Sequence, residues 1–242
     1  MARFFVEPGE MKEEYLPLTG DNAQHAKVLR LKPGEEVLVC DGQGNECVCV
    51  VEEVNPSVTL RILEHRISAS EARVQVSVYL AFPKADKLEH VIQKATELGA
   101  YEIVAFPSSR CITKLDSKAL SKKLERWQKI AASAAEQSGR GRIPQVIALG
   151  SFQEALNRAA QADKALMFYE NEQATTLRMA LEIGTYETVS LLTGPEGGLE
   201  LSEVEKARAA GLQVCTLGKR ILRCETAPLC ALSAVMYAAG EF

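Results

Sequence analysis

A chain of 242 residues, 47% of them hydrophobic, can bury a sizeable core as one large domain or two smaller ones. No run of about 18 apolar residues occurs, which excludes a transmembrane helix, and the opening MARFFVEPGEMKEEY lacks the apolar centre of a signal peptide, so the expectation is a soluble, cytoplasmic protein. A net charge of −4 argues against nucleic-acid binding by bulk charge and shifts the question to local distribution: residues 1–68 hold 7 Lys/Arg against 12 Asp/Glu.

Residues 1–68 read as β. EEVLVCDG, NECVCVVEEV and SVTLRILEH are short, valine-rich and partly alternating, and DGQGN supplies a hairpin turn between the first two. The expectation is a small closed barrel with NAQHAKVLR (22–30) as a helix beside it. The polar stretch SASEA at 68–72 is the best linker, giving domains over 1–68 and 73–242. From there the pattern changes. Apolar strands at VQVSVYLAF, YEIVAF, QVIAL, ALMFY, TVSLLT and QVCTL alternate with helical stretches near 86–99, 116–138, 151–162, 173–183, 202–210 and 226–239. Such alternation predicts an α/β domain with a mostly parallel, doubly wound sheet. Basic residues cluster at Lys114, Lys118, Lys122, Lys123, Arg126 and Lys129, which is equally a solvated helix face. The seven cysteines (40, 47, 49, 111, 215, 224 and 230) contain no CxxC pair or zinc spacing, so they read as reduced thiols packed as small hydrophobes, with no metal.

Doubly wound sheets bind ligands at the carboxyl ends of their strands. Three loops qualify: Phe168–Glu172, Gly194–Gly198 and Leu217–Thr226. In LLTGPEGGL, Gly194, Gly197 and Gly198 permit a close approach to backbone and Pro195 stiffens the loop. A phosphate is one possible ligand, yet GxxxxGK[ST] and GxGxxG are absent and Glu196 would repel it. A nucleoside or sulfonium ligand is a second, and an ordinary tight turn a third. In LGKRILRCETAP, Thr226 is a candidate helix cap with Pro228 in the first turn. Lys219, Arg220 and Arg223 precede a helix N-terminus, where cations are disfavoured, so they call for an anionic partner such as RNA.

LLTGPEGGL followed by LGKRILRCETA resembles the RsmE family of 16S ribosomal RNA uridine N3-methyltransferases of the SPOUT superfamily. RFF at 3–5, HAKVLRLKPGE at 25–35, KATELGA at 94–100, SSR at 108–110, RWQKIAASAAEQSGR at 126–140 and Pro144 extend the likeness over nearly the whole chain. Cys224 stands where the family pattern has threonine or another small residue. The resemblance implies a PUA-like RNA-binding barrel followed by a trefoil-knotted methyltransferase domain. It also implies S-adenosylmethionine as cofactor, a homodimer with its active site at the dimer interface, and 16S rRNA of the small ribosomal subunit as partner. Carried onto this sequence, cofactor contacts fall on Thr193, Gly194, Glu196, Gly198, Leu217, Gly218, Ile221, Leu222 and Ala227. The catalytic candidates are Arg223, to stabilise the anionic base, and Glu225, to accept or position the N3 proton. RNA contacts fall on Arg3, Lys27, Arg30, Arg110, Arg126 and Arg140, with His25 structural and Trp127 in the core or an interface. Two alternatives remain: another SPOUT methyltransferase acting on tRNA or a different rRNA site, and a non-catalytic ribosome-assembly protein that binds RNA.

Overall fold

A computed structural model describes residues 1–112, 116–182 and 184–242. Lys114 and the end of the helical stretch expected at 173–183 lie outside them. The chain divides into two compact units, residues 1–71 with 135–143 and residues 72–134 with 144–242.

The first unit holds five strands: β1 (Ala2–Phe5), β2 (Tyr15–Pro17), β3 (Glu36–Cys40), β4 (Asn45–Glu53) and β5 (Thr59–Ile67), with helix α1 (Gly20–Leu29) between β2 and β3. They pair in the order β1-β3-β4-β5-β2, antiparallel except for β1 on β3. Alternation along β4 buries Cys47, Cys49 and Val51 against Phe4, Leu16, Val37, Val39 and Leu60. Register shifts at Val48/Cys49 and Val51/Glu53 place extra residues in the ladder and bend the sheet over this core. The expected closed barrel is therefore a curled sheet, with β1 and β2 as its edges among the described residues. The DGQGN turn folds on Asp41, whose Oδ1 accepts from Gln43 N at 2.7 Å and Asn45 N at 3.0 Å. Residues 135–143 join this unit through Glu71, which accepts from Gly141 N at 2.9 Å and Arg142 N at 3.0 Å. Gly141 admits no side chain, because a Cβ there would run into Ser68.

The second unit holds six strands: β6 (Gln75–Ala81), β7 (Glu102–Phe106), β8 (Gln145–Ala148), β9 (Lys164–Phe168), β10 (Thr188–Thr193) and β11 (Gln213–Cys215). All pairings are parallel, in the order β11-β9-β10-β6-β7-β8. The connecting helices are α2 (Lys87–Glu97), α3 (Ser117–Gln137), α4 (Phe152–Ala159), α5 (Leu177–Glu182), α6 (Leu201–Ala209) and α7 (Thr226–Ala238). Tyr79, Ala81, Val104, Phe106, Met167, Leu192 and Val214 pack on Ala155, Leu156 and Ala159 of α4 and Val204 and Ala207 of α6. The alternate residues Val76, Val78, Leu80 and Leu191 are also fully buried. Burial on both faces is why these strands read as continuous apolar runs. Trp127 is 3% exposed and belongs to the interior. Helix α7 starts one residue earlier than its sequence suggests: Glu225 occupies the cap and Thr226 the first helical position.

Candidate active site

The sheet order sets β11, β9 and β10 side by side, so the loops that follow them share one edge. They enclose a cleft of about 490 Å³, lined by Phe168–Glu170, Thr193–Leu199, Thr216–Cys224, Lys87 and Ala227. That volume is in the range of small-molecule and cofactor sites. All nine residues expected to contact a cofactor lie on it, as does Arg223.

The GPEGG loop is built by three different uses of glycine. A Cβ on Gly194 would stand 2.9 Å from Leu199 Cγ, so the position is small for packing. A Cβ on Gly197 would meet Arg110 Cβ at 3.2 Å. Gly198 has φ +70, closed to β-branched residues, and a side chain there would meet the Glu170 carboxylate. The turn is closed by Gly198 N donating to Pro195 O at 2.9 Å. Across the cleft, Gly218 has φ +103 and open space beside it, which exposes backbone to a ligand. Thr193 is buried, and its hydroxyl donates to Tyr79 O at 3.2 Å, leaving its lone pairs and backbone for any further contact.

The SSR stretch supports this loop from the side. Ser109 N and Oγ donate to Glu203 Oε1 at 2.9 and 3.1 Å, and Glu203 Oε2 accepts from Glu200 N at 2.9 Å. Arg110 Nη1 donates to Gly197 O at 2.9 Å. Buried Glu203 thus joins the end of β7 to the start of α6.

Charge at the cleft has two parts. On one side Lys87 Nζ lies 3.1 Å from Glu196 Oε1 and 3.2 Å from Glu225 Oε2. Burial works against ionisation of both carboxylates. It is outweighed at Glu196 by the Lys84 N–H and Lys87, and at Glu225 by its own N–H, the Cys224 thiol and Lys87, so both sit below the usual carboxylate range. The Glu196 and Glu225 bonds likewise raise the Lys87 ammonium, with desolvation opposing them. Burial, reinforced by Glu225, pushes the Cys224 thiol up to about 12, so it is a neutral donor to Glu225 at 3.2 Å rather than a nucleophile. On the other side Lys219, Arg220 and Arg223 are exposed and have no side-chain partner among the described residues. Ile221, 84% exposed, stands among them. Arg223 and Glu225, two residues apart, make no ion pair among the described residues; Glu225 pairs with Lys87 instead. Lys87 escaped the reading of the sequence, and its one signal was a cation in the first turn of a helix.

The residues expected to grip RNA fall into two groups. Lys27 and Arg30 are exposed on α1, and Arg126 is 66% exposed while bonded to Glu89 at 2.6 Å. Arg110 is half-exposed and partly engaged by the GPEGG loop. Arg3 and Arg140 are interior: Arg3 Nη1 is 2.9 Å from buried Glu46, and Arg140, 4% exposed, is 2.6 Å from Glu71. Those two guanidiniums serve the first unit's own packing. His25 is structural in the same way, 2.8 Å from Glu136 and edge-on to Phe4.

Comparison with known proteins gives these features a family. An RNA methyltransferase domain family matches residues 70–236, and an RNA methyltransferase PUA domain family matches residues 18–63. The chain is 38% identical to the ribosomal RNA small subunit methyltransferase E of Bacillus subtilis, over 98% of this chain and 96% of that protein. Among solved structures it is similar to the ribosomal RNA small subunit methyltransferase E of Neisseria gonorrhoeae bound to S-adenosyl methionine, at 31% identity and a TM-score of 0.84, covering 98% and 97% of the two chains. It is also similar to a Legionella pneumophila methyltransferase in complex with the bound cofactor SAM, at 30% identity and a TM-score of 0.83, with 98% and 97% coverage. Likeness of this degree, held from the first unit to the last helix, makes the chain a member of the ribosomal RNA small subunit methyltransferase E family.

Proposed function

We propose that this protein transfers the methyl group of S-adenosylmethionine to N3 of a uridine in 16S rRNA of the small ribosomal subunit. The observation that carries the reading is the cleft: two glycine-containing loops with exposed backbone, following β10 and β11, the strands that flank β9 in the parallel sheet, in a chain of this family. The cleft suits the cofactor in size and in donor set. Thr193, Gly194, Glu196, Gly198, Leu217, Gly218, Ile221, Leu222 and Ala227 would hold it, largely through backbone groups. When bound, S-adenosylmethionine supplies an electrophilic methyl group.

The chain's own residues then have to manage the uridine. N3 must lose its proton as it gains the methyl, and the ring becomes anionic on the way. Arg223, exposed at the cleft with no side-chain partner among the described residues, is suited to hold that charge on the ring oxygens. Glu225, held low by its bonds, is a weak base and a strong acceptor, which suits it to orienting the N3–H and to passing the proton on to solvent water rather than keeping it. RNA is gripped through exposed Lys27, Arg30 and Arg126 together with Lys219 and Arg220. A homodimer, implied by the family likeness, would cover Ile221 beside the cleft; sedimentation showing only monomer at micromolar concentration would remove that part.

The test is transfer from labelled S-adenosylmethionine to small subunits from cells lacking this protein, with the product nucleoside identified. 3-Methyluridine at one site is expected. Transfer to tRNA but not to subunits would move the substrate, and cofactor-independent RNA binding alone would favour an assembly protein.

A further inference from the structure

Lys87 is unusual for its place. It stands in the first turn of α2, where the helix dipole disfavours a cation. Its ammonium lies 3.1 Å from Glu196 Oε1 in the GPEGG loop and 3.2 Å from Glu225 Oε2 at the start of α7, with Cys224 Sγ at 3.7 Å. The approach to α2 is shaped to the same end. Lys84 N donates to Glu196 Oε1 at 3.0 Å, and the next residue, Ala85, holds φ +52, a conformation a non-glycine residue adopts only when its surroundings enforce it. Two cleft walls far apart in sequence are thus joined through one side chain of a third segment.

We propose that Lys87 is a positioning residue, whose ammonium ties the Glu196 loop to the Glu225 helix start and so fixes the two walls of the cofactor cleft. The proposal rests on the methyltransferase reading above. Both carboxylate oxygens lie within 3.2 Å of one nitrogen, so removal of the ammonium leaves two like charges facing each other. The other charged or titratable groups around the pair are Lys84 and Asp86 before α2, Arg110 on Gly197 O, Glu170 beside Gly198, Cys224, and the exposed Lys219, Arg220 and Arg223. None of them makes an ion pair with Glu196 or Glu225 among the described residues, so none replaces Lys87.

The test is the affinity for S-adenosylmethionine, measured by calorimetry from pH 5 to pH 8, in wild type, Lys87→Met and Lys87→Arg. Wild type is expected to bind with little change over this range, since both carboxylates stay ionised and the lysine stays charged. K87M is expected to lose on the order of tenfold in affinity at pH 8. It should recover toward pH 5, where the two carboxylates share a proton and the repulsion is relieved. K87R restores the charge and most of the affinity. A double variant, K87M with Glu225→Gln, should bind with no such pH dependence. Thermal unfolding of each variant separates a folded protein from a collapsed one, and the double variant carries the comparison if K87M alone is unstable. Equal affinity of K87M and wild type, or a loss that is the same at every pH in both variants, overturns the role of Lys87 alone. No binding by wild type at any pH overturns the methyltransferase reading, and the proposal falls with it.

Discussion

A glycine and an arginine at the cleft carry the sharpest consequences. Gly198 sits at φ +70 and closes its turn by donating to Pro195 O. Valine there meets strain of about 1–3 kcal/mol, which the loop can relieve only by turning its peptide groups away from the cleft. Gly198→Val is therefore expected to fold and to lose at least about tenfold in S-adenosylmethionine affinity; unchanged affinity by calorimetry would end the argument from backbone geometry. The Arg223 side chain has no partner among the described residues, and its carbonyl bonds to Thr226 N and Ala227 N survive truncation to alanine, so its removal should be felt only in the reaction. Arg223→Ala should lower the rate of methyl transfer by about 100-fold, as the loss of one charge-stabilising donor does elsewhere. Cofactor affinity and Tm should stay within error, and a loss of affinity comparable to the loss of rate would place Arg223 on the cofactor instead. At this scale the sequence was informative where chemistry is local. Three glycines around a proline announce a special loop before any fold is known. Lys87 announces only a cation in the first turn of a helix, because its partners are more than a hundred residues away and are brought to it by the sheet order. Arg3 and Arg140 misled for the same reason: a basic residue looks available until Glu46 and Glu71 are placed beside it.

Elements follow the same logic. The six parallel strands were legible because burial on both faces leaves an uninterrupted apolar run, whereas β1 and β2, of four and three residues, are too short to show a period. Closure of the N-terminal sheet was not legible either, since it depends on how far two bulges bend β4 against β5. Helix α6 was found, but what anchors it was not. Buried Glu203 takes three hydrogen bonds, from Glu200 N, Ser109 N and Ser109 Oγ. Glu203→Ala leaves those donors without their acceptor and is expected to cost about 2 kcal/mol, a fall of roughly 4–8 °C in Tm for a domain of this size. A change below 1 °C would show that water replaces the carboxylate freely. Helix α1 makes the complementary case, a surface element with an outward task. It ends on exposed Arg30, which adopts φ +55 as its left-handed cap, with Lys27 exposed one turn earlier. Arg30→Glu should weaken binding to small subunits several-fold and leave S-adenosylmethionine affinity untouched. Equal subunit binding would remove α1 from the RNA surface.

At the scale of the whole molecule, charge and function pull in opposite directions. An RNA-modifying enzyme with a net charge of −4, whose first 68 residues hold 7 basic against 12 acidic side chains, cannot rely on general attraction to phosphate. Exposed cations are spread over the surface, Lys118, Lys122 and Lys129 on α3 among them, but those assigned to RNA are few and local: Lys27 and Arg30 at α1, Arg126 on α3, and Lys219, Arg220 and Arg223 at the cleft. Each phosphate contact adds to the salt dependence of binding, so a small set of contacts predicts a shallow slope and weak affinity for naked RNA. Selectivity then has to come from shape, with the target uridine already presented by a folded, protein-bearing particle. The expected outcome is methyl transfer to assembled small subunits at least about tenfold faster than to protein-free 16S rRNA at the same concentration. Binding to the subunit should weaken with salt by a slope of only about −3 to −5 in log K against log salt, the value for some four to six neutralised phosphates. Faster modification of protein-free RNA, with a slope near −10, would mean that the acidic first unit turns its charge away from the RNA. Recognition would then rest on the nucleic acid alone.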